Sequence, residues 1–246
     1  MPALSAYKSD LDYSYAPGIF PSMECLENRP EKVRRLLVHS DVHNGPQAGM
    51  ERLMGLASDL GVRIEDADRA LARISGKENC YAAAVFEKFQ DTLYPGRPHV
   101  LLHNPGDTGN IGTILRTALG FGIEDVALVR PCADLFDPKT IRASMGSLFR
   151  LRVHVFDSFT DYRKAYATRP LYPFMLDASV PMEAALKRKL SPEFTLIFGN
   201  EGRGLPPEFA QLGTPVRIPS NDKIDSLNLA VAAAIGIYEF TRAIKY

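Results

Sequence analysis

The chain has 246 residues, 46% of them hydrophobic and 24% charged, which is typical of a globular protein and argues against disorder as the main state. Lys and Arg total 29, as do Asp and Glu, so the zero net charge gives no sign of a polyanionic partner. Three scattered cysteines without a CxxC motif argue against a disulfide framework or a zinc ribbon. The sequence contains no apolar run of about 18 residues, so no membrane span is predicted. We therefore expect a cytoplasmic protein that does not associate with a membrane.

The N-terminal part predicts an arm, a small domain and a linker. Residues 1–18 are rich in Ser, Tyr and Asp and predict a loosely held arm. Residues 19–91 predict a small α/β domain, and residues 92–98, with two prolines and a glycine, predict a linker. The elements predicted in the small domain are a helix at Met50–Leu60 that Gly61 terminates, a strand at 62–65, a helix at Ala67–Ile74 and a strand or short helix at Tyr81–Phe89.

Residues 99–246 predict a larger α/β domain, because short apolar runs alternate with helical patterns. The expected architecture is a mostly parallel sheet with helices on both faces, in which ligands bind beyond the carboxyl ends of the strands. Helices are predicted at Ile111–Phe121 and Asp161–Thr168. The predicted strands are His99–His103, Asp125–Arg130, Leu151–Phe156, Leu171–Leu176, Phe194–Phe198 and Pro215–Ile218.

Two segments that follow predicted strands carry candidate chemistry. In His103–Gly122, a glycine-containing turn leads into a helix with Asn110 and Arg116, and a helix N-terminus attracts anions. Its glycine spacing does not match the dinucleotide-binding fingerprint, and a tight strand-to-helix turn explains the glycines equally well. In Thr195–Glu208, three glycines surround Glu201, which suggests backbone contacts to a ligand. The alternative is a simple turn with a solvated ion pair.

A third segment, Val216–Phe240, contains a helix without charge from Ser226 to Tyr238. Apolar residues occur all round this helix, so we expect it to be buried on nearly every side, in the domain centre or in a subunit interface. Ser226 is a good N-cap for it. A capping role explains Asn228 less well.

Together, the three segments resemble the three motifs of the SpoU/TrmH family of RNA ribose methyltransferases, within the SPOUT superfamily. The first resembles the family's Asn-x-Gly-x-x-x-Arg motif, and the segment Arg142–Arg152 resembles its conserved region between motifs one and two. The residues that carry the three motifs are Asn110, Gly112 and Arg116, then Gly199, Glu201, Gly202 and Gly204, then Ile218, Pro219, Ser226, Leu227 and Asn228.

This resemblance implies an enzyme that transfers a methyl group from S-adenosylmethionine to a ribose 2′-hydroxyl of tRNA or rRNA. It also implies a trefoil knot in residues 99–246 and a homodimer. Residues 19–91 are similar to the small ribosomal-protein-like RNA-binding domain that often precedes this catalytic domain. The segments that carry the second similarity are Phe20–Pro30, Leu56–Ile64 and Gly76–Phe89.

The resemblance also implies roles for individual residues. Catalytic or substrate-orienting roles fall to Asn110, Arg116, Glu201, Ser226 and Asn228, and the methyl donor would contact Leu176, Gly199, Ile218, Ser226 and Leu227. Whether Arg116 acts as a base or binds phosphate stays open, because a free Arg has a pKa of about 12.5–13.8.

RNA phosphates would bind a basic patch of Arg142, Arg150 and Arg152, for which the alternative is a solvated strand edge. No metal is expected, since the five histidines show no ligand spacing.

Two other functions remain compatible with the sequence. One is an RNA-binding protein that keeps the fold without catalysis, and the intact set of Asn110, Arg116, Glu201 and Asn228 argues against it. The other is an unrelated small-molecule enzyme on a doubly wound sheet, which a titration with S-adenosylmethionine would distinguish.

Overall fold

The computed structural model describes residues 6–42, 47–75, 80–177, 180–187, 189–221 and 223–245. The chain divides into two compact units. The first consists of Met1–Phe89 with Asp134–Arg150, and the second consists of Gln90–Ala133 with Leu151–Tyr246. Each unit is therefore built from two separate stretches of chain.

The first unit is a mixed sheet with helices packed on it. Its elements are β1 (Tyr13–Pro17), α1 (Ile19–Asn28), β2 (Val33–Val38), α2 (Gln47–Asp59), β3 (Ile64–Asp66), α3 (Asp68–Ser75), β4 (Ala82–Glu87) and α5 (Pro138–Ala143). The strand order is β1-β4-β2-β3, with antiparallel pairing except between β2 and β3.

Most elements predicted for this unit are present. Gly61 follows α2, the helix predicted at Met50–Leu60, with φ near 66°, a left-handed value that glycine adopts without strain. Tyr81–Phe89 forms a strand rather than a helix. The N-terminal arm was predicted wrongly, because β1 pairs with β4 and Tyr15 on it is fully buried. Residues 1–5 of that arm, and Gly76–Asn79 of the segment used for the N-terminal resemblance, lie outside the described residues.

The segment Asp134–Arg150 corrects the predicted domain boundaries, since it belongs to the first unit and not to a continuous domain 99–246. The cause is aromatic burial: Phe149 packs edge-on against Phe86 with ring centroids 4.9 Å apart, and Phe136 packs against Phe89 at 5.2 Å. Pairs of this kind are worth about 0.5–1.5 kcal/mol beyond the area that they bury. No local sequence pattern predicts contacts between rings that are this far apart in the chain.

The second unit contains a parallel sheet in the order β7-β6-β5-β10-β8, together with a separate parallel pair of β9 and β11. Its strands are β5 (His99–His103), β6 (Asp125–Val129), β7 (Arg152–Phe156), β8 (Leu171–Pro173), β9 (Val180–Pro181), β10 (Thr195–Phe198) and β11 (Val216–Arg217). Its helices are α4 (Thr108–Phe121), α6 (Phe159–Ala165), α7 (Met182–Leu186) and α8 (Leu229–Lys245). The α/β class and the mostly parallel sheet are confirmed.

Both faces of this sheet are covered. On one face, Tyr162 of α6 packs with Phe156 and Ile197 in a buried cluster. On the other face, Phe240 of α8 packs against Phe194 and Tyr172. Sheets covered on both faces have strands that read as continuous apolar runs, which is why these strands were predictable.

Helix α8 differs from its prediction in two respects. It begins at Leu229, and its N-cap is Asn228, whose Oδ1 accepts hydrogen bonds from the backbone N–H groups of Ala230 and Val231 at 2.8 and 3.3 Å. Ser226 is therefore not the cap. The helix is also not buried on nearly every side in the single chain, because Val231 and Tyr238 are 47% and 44% exposed. Among the helices that the structure describes, none is both long enough and apolar enough to cross a bilayer.

Candidate active site

Three loops meet at the carboxyl edge of the parallel sheet, and hydrogen bonds join the three candidate motifs there. Asn110 on α4 donates from Nδ2 to Glu201 Oε1 at 3.2 Å, and Asn228 before α8 donates from Nδ2 to Asn110 Oδ1 at 3.1 Å. Glu201 also accepts from the backbone N–H groups of Gly106 and Asp107 at 2.9 and 3.1 Å. One residue from each motif therefore takes part in a single network.

The network has a fixed direction, because the Glu201 carboxylate only accepts when it is ionised. The carboxylate accepts a hydrogen bond from Asn110 Nδ2, and this orients Asn110 so that its Oδ1 faces Asn228. Asn228 in turn directs its own Oδ1 to the N-terminus of α8. Each of the two amides keeps one further N–H, so the arrangement can donate hydrogen bonds to oxygen atoms of a bound molecule.

Local features of the chain hold the loops in place. Asp107 caps α4, since its Oδ1 accepts from the Asn110 N–H at 2.7 Å. Asn200 ties two loops together through Nδ2, which donates to the Asn104 carbonyl at 2.9 Å. Sequence reasoning did not single out Asp107 or Asn200 as site residues. The signal for Asp107 was available, because Asp directly before a helical pattern is typical of an N-cap.

The loop that carries Glu201 closes tightly. A Cβ on Gly199 would lie 2.2 Å from the Gly204 carbonyl carbon and 2.4 Å from the Leu205 nitrogen, so only glycine fits there. Gly204 has φ near 67° and exchanges two backbone hydrogen bonds with Asn200. These two glycines are therefore explained by the backbone turn itself.

The carboxyl group of Glu201 is ionised at neutral pH. Burial raises its pKa, but hydrogen bonds from the Gly106 backbone and then from Asn110 and Asp107 outweigh burial, and the pKa lies below its usual value. The network therefore holds a negative charge that neighbouring donors stabilise.

A cavity of about 260 Å³ lies next to the network, at the ends of β8 and β10. It has the position at which ligands bind in open α/β sheets. Its walls combine apolar side chains with both acidic and basic groups, among them Asp177 and Arg217. All of the predicted donor-binding residues line it: Leu176, Gly199, Ile218, Ser226 and Leu227.

Arg116 does not join the network. It is exposed on α4, six positions after Asn110, which is about 9 Å along a helix axis and on a different side of it. Glu201 therefore orients Asn110, and its hydrogen bonds do not include Arg116. Ser226 lines the cavity without capping α8.

Two of the three residues in the predicted RNA-binding patch, Arg150 and Arg152, are paired with carboxylates in the folded chain. Arg152 makes paired hydrogen bonds at 2.7 Å to Asp125, a fully buried carboxylate, and a further one to Glu124. Arg150 is bound in the same two-pronged way by Glu24. Both guanidinium groups donate hydrogen bonds to these carboxylates, and this raises the pKa of each arginine. Arg142 is half-buried in the first unit.

Metal ligands are not grouped anywhere in the part of the chain that the structure describes, since no three His, Cys, Asp or Glu side chains converge there. The groups present at the site are hydrogen-bond donors, the carboxylates of Glu201 and Asp177, and the guanidinium groups of Arg203 and Arg217.

Comparison with known proteins gives one family. The family model for the SpoU rRNA Methylase family matches residues 97–238. The chain is 34% identical over 159 residues to the 23S rRNA (guanosine(2553)-2'-O)-methyltransferase RlmP of Bacillus subtilis, covering 63% of this chain and 62% of that protein. It is 35% identical over 151 residues to the 23S rRNA (uridine(2479)-2'-O)-methyltransferase of Streptomyces viridochromogenes, covering 58% and 52%. The matched part thus spans less than two thirds of either relative.

A solved structure resembles nearly the whole chain. The AdoMet-bound rRNA methyltransferase from Sinorhizobium meliloti is similar with a TM-score of 0.78 and 27% identity, over 94% of this chain and 87% of that one. This likeness extends beyond the segment that the family model matches, into the N-terminal unit.

Proposed function

The chain belongs to the SpoU rRNA methylase family, and on that premise we propose that it transfers a methyl group from S-adenosylmethionine to a ribose 2′-hydroxyl of tRNA or rRNA. The relatives from Bacillus subtilis and Streptomyces viridochromogenes are 2′-O-methyltransferases of 23S rRNA, which favours rRNA as the substrate.

The observation that carries this proposal is the network of Glu201, Asn110 and Asn228 beside the cavity. Transfer to a hydroxyl requires that the acceptor oxygen be held in line with the donor, and such alignment can supply roughly 7–11 kcal/mol. The free N–H groups of the two amides are suited to hold ribose oxygens in that position.

The residues around the cavity fit S-adenosylmethionine. This donor is zwitterionic and carries a flat adenine ring, and the lining offers apolar walls at Leu176, Ile218 and Leu227 with charged groups of both signs beside them. When bound, S-adenosylmethionine would supply a methyl group from its sulfonium to the ribose O2′: the S–CH₃ electron pair would stay on sulfur, which becomes a neutral thioether, and the hydroxyl proton would pass to water. The relative from Sinorhizobium meliloti was solved with AdoMet bound.

Arg116 is proposed to bind the phosphate beside the target ribose and to stabilise the negative charge that develops on O2′. Its exposure on α4 leaves the guanidinium open to RNA, and Arg grips phosphate with two parallel N–H groups. Ser226, Leu176, Gly199, Ile218 and Leu227 are assigned to the donor, and Asn110, Glu201 and Asn228 to orientation of the acceptor.

The assembly is proposed to be a homodimer in the cytoplasm. Phe121 on α4 and Val231 and Tyr238 on α8 are exposed, and Phe121 contacts Tyr238 with ring centroids 5.4 Å apart. Exposed apolar residues grouped in this way are typical of an interface. Sedimentation at micromolar concentration tests this, and a monomer would contradict it.

The second unit is proposed to contain the family's trefoil knot, and the first unit to bind RNA. In such a knot α8 would pack tightly beside the chain after β8, and the two are in close contact: a Cβ on Gly236 would lie 2.6 Å from Phe174 Cζ.

Methyl transfer with labelled S-adenosylmethionine tests the central proposal. The substrates are rRNA and tRNA from cells that lack the gene, and 2′-O-methylated positions are mapped afterwards. We expect one or a few labelled ribose positions. A protein that binds RNA and the donor but transfers no label would instead be a catalytically inactive member of the family.

A further inference from the structure

A second cavity, of about 670 Å³, lies at the ends of β5, β6 and β10. Three segments form it: Asn104–Gly106, Pro131–Ala133, and the loop from Asn200 to Pro207. It is distinct from the cavity of about 260 Å³ assigned to the methyl donor, which we call the donor cavity. We call it the proline cavity, after the four prolines in its lining.

The proline cavity and the donor cavity share a wall. Asn200, Arg203, Gly204 and Leu205 line both. Glu201 belongs to the same loop, and its carboxylate accepts from the N–H of Gly106, which also lines the proline cavity. A group bound there is therefore a direct neighbour of both the network and the methyl donor.

The lining has the chemistry of a slot for a flat, uncharged ring. Proline rings, Leu205 and Cys132 supply apolar surface, and among the described residues that line the cavity none is acidic. Arg203 is exposed at the same cavity. An apolar slot with a guanidinium beside it matches a nucleobase attached to a phosphate backbone.

The cavity is formed before any ligand enters, since hydrogen bonds join its walls. Ala133 N–H donates to the Pro105 carbonyl at 2.7 Å, and Asn200 Nδ2 donates to the Asn104 carbonyl at 2.9 Å. Asn104 is held at φ near 57°, a left-handed conformation that is uncommon outside glycine.

We propose that the proline cavity receives the unstacked base of the nucleotide whose ribose is methylated, with Arg203 on an adjacent phosphate. This proposal rests on the proposed function and adds how the enzyme selects its nucleotide. Sequence-specific RNA recognition targets bases in loops and bulges, where they can be turned out of the stack. With its base in the proline cavity, a nucleotide presents its ribose at Glu201 and Asn110.

Filling the cavity with a bulky side chain tests the proposal. Cys132→Trp inserts an indole between the walls, and Thr168→Trp adds the same group to an exposed turn before β8, outside all of the cavities discussed. We expect Cys132→Trp to bind S-adenosylmethionine normally and to methylate rRNA about 100-fold more slowly, the effect of a misplaced reactant. Thr168→Trp should match the wild type.

Arg203→Ala provides a second measurement that does not depend on the fold accepting an indole. Loss of one phosphate contact should weaken RNA binding and lower the slope of log affinity against log salt by about one. An unchanged salt slope, or Cys132→Trp with a wild-type methylation rate, overturns the base-binding assignment while the proposed function stands. A wild-type protein that methylates no RNA overturns both.

Discussion

Replacing Glu201 by Gln tests whether the carboxylate organises the site. Each carboxylate oxygen faces two donors: Oε1 accepts from Asp107 N and Asn110 Nδ2, and Oε2 accepts from Gly106 N and Asn200 Nδ2. Gln is nearly the same size, but its NH₂ group must face two of these donors. The substitution therefore removes two hydrogen bonds without removing volume.

The expected size of the effect follows from those two bonds. Hydrogen bonds to a charged group contribute about 1.5–3 kcal/mol each, and water reaches this exposed site, so the lower end applies. Two bonds then correspond to about 3 kcal/mol, or a rate roughly 100-fold lower. The melting temperature should fall by about 6–12 °C, since 1 kcal/mol shifts it by about 2–4 °C in a chain of this size.

Single-turnover methylation at saturating S-adenosylmethionine measures this effect separately from donor binding. Glu183→Gln, an exposed position on α7, makes the same chemical change outside the network and should leave the rate unchanged. If Glu201→Gln transfers methyl groups within about threefold of the wild type, a difference below 1 kcal/mol, the carboxylate does not organise the site.

Three further outcomes are expected. Arg116→Ala and Arg116→Lys should both lower the rate of single-turnover methylation by about 100-fold, with donor affinity unchanged in calorimetry. Lys keeps the charge but cannot bind phosphate through two parallel N–H groups. A normal rate in either variant would remove Arg116 from the mechanism. Gly199→Ala should lose donor binding and about 1–3 kcal/mol of stability in urea unfolding, because the new Cβ would meet the Gly204 backbone. Gly120→Ala is the control and should not be destabilised, because open space surrounds Gly120. Burial, and then the charge of Arg169, lower the pKa of His99, so the unfolded chain binds a proton more readily than the folded chain does. The unfolding free energy should therefore fall as the pH drops below about 6.5. If His99→Gln shows the same pH profile as the wild type, this expectation is wrong.

The sequence predicted the second unit well because its strands are apolar on both faces and its motifs are local. Asn110, Glu201 and Asn228 were identified through the motif resemblance, and the structure joins them by hydrogen bonds. The choice between Ser226 and Asn228 as the cap of α8 was not predictable, since both residue types are good N-caps and only the packing of α8 selects one.

Contacts between residues that are distant in sequence were not predicted. Arg152 on β7 pairs with Asp125 on the neighbouring parallel strand β6. Arg150 pairs with Glu24, which lies in the other stretch of chain that forms the first unit. In the local sequence, nothing identifies the carboxylate with which either arginine pairs. Their carboxylate partners become apparent only when the chain has folded, and the same holds for Phe136 and Phe149.

The interrupted first unit also sets the order in which the protein can mature during synthesis. Phe86 and Phe89 are made early, but the rings that cover them, Phe136 and Phe149, emerge only after β5, α4 and β6 of the second unit. At about 5–20 residues per second, this leaves an apolar surface uncovered for roughly 3–12 s. The two units therefore complete their folding in overlapping intervals, and a nascent chain halted before residue 134 presents that aromatic surface to chaperones.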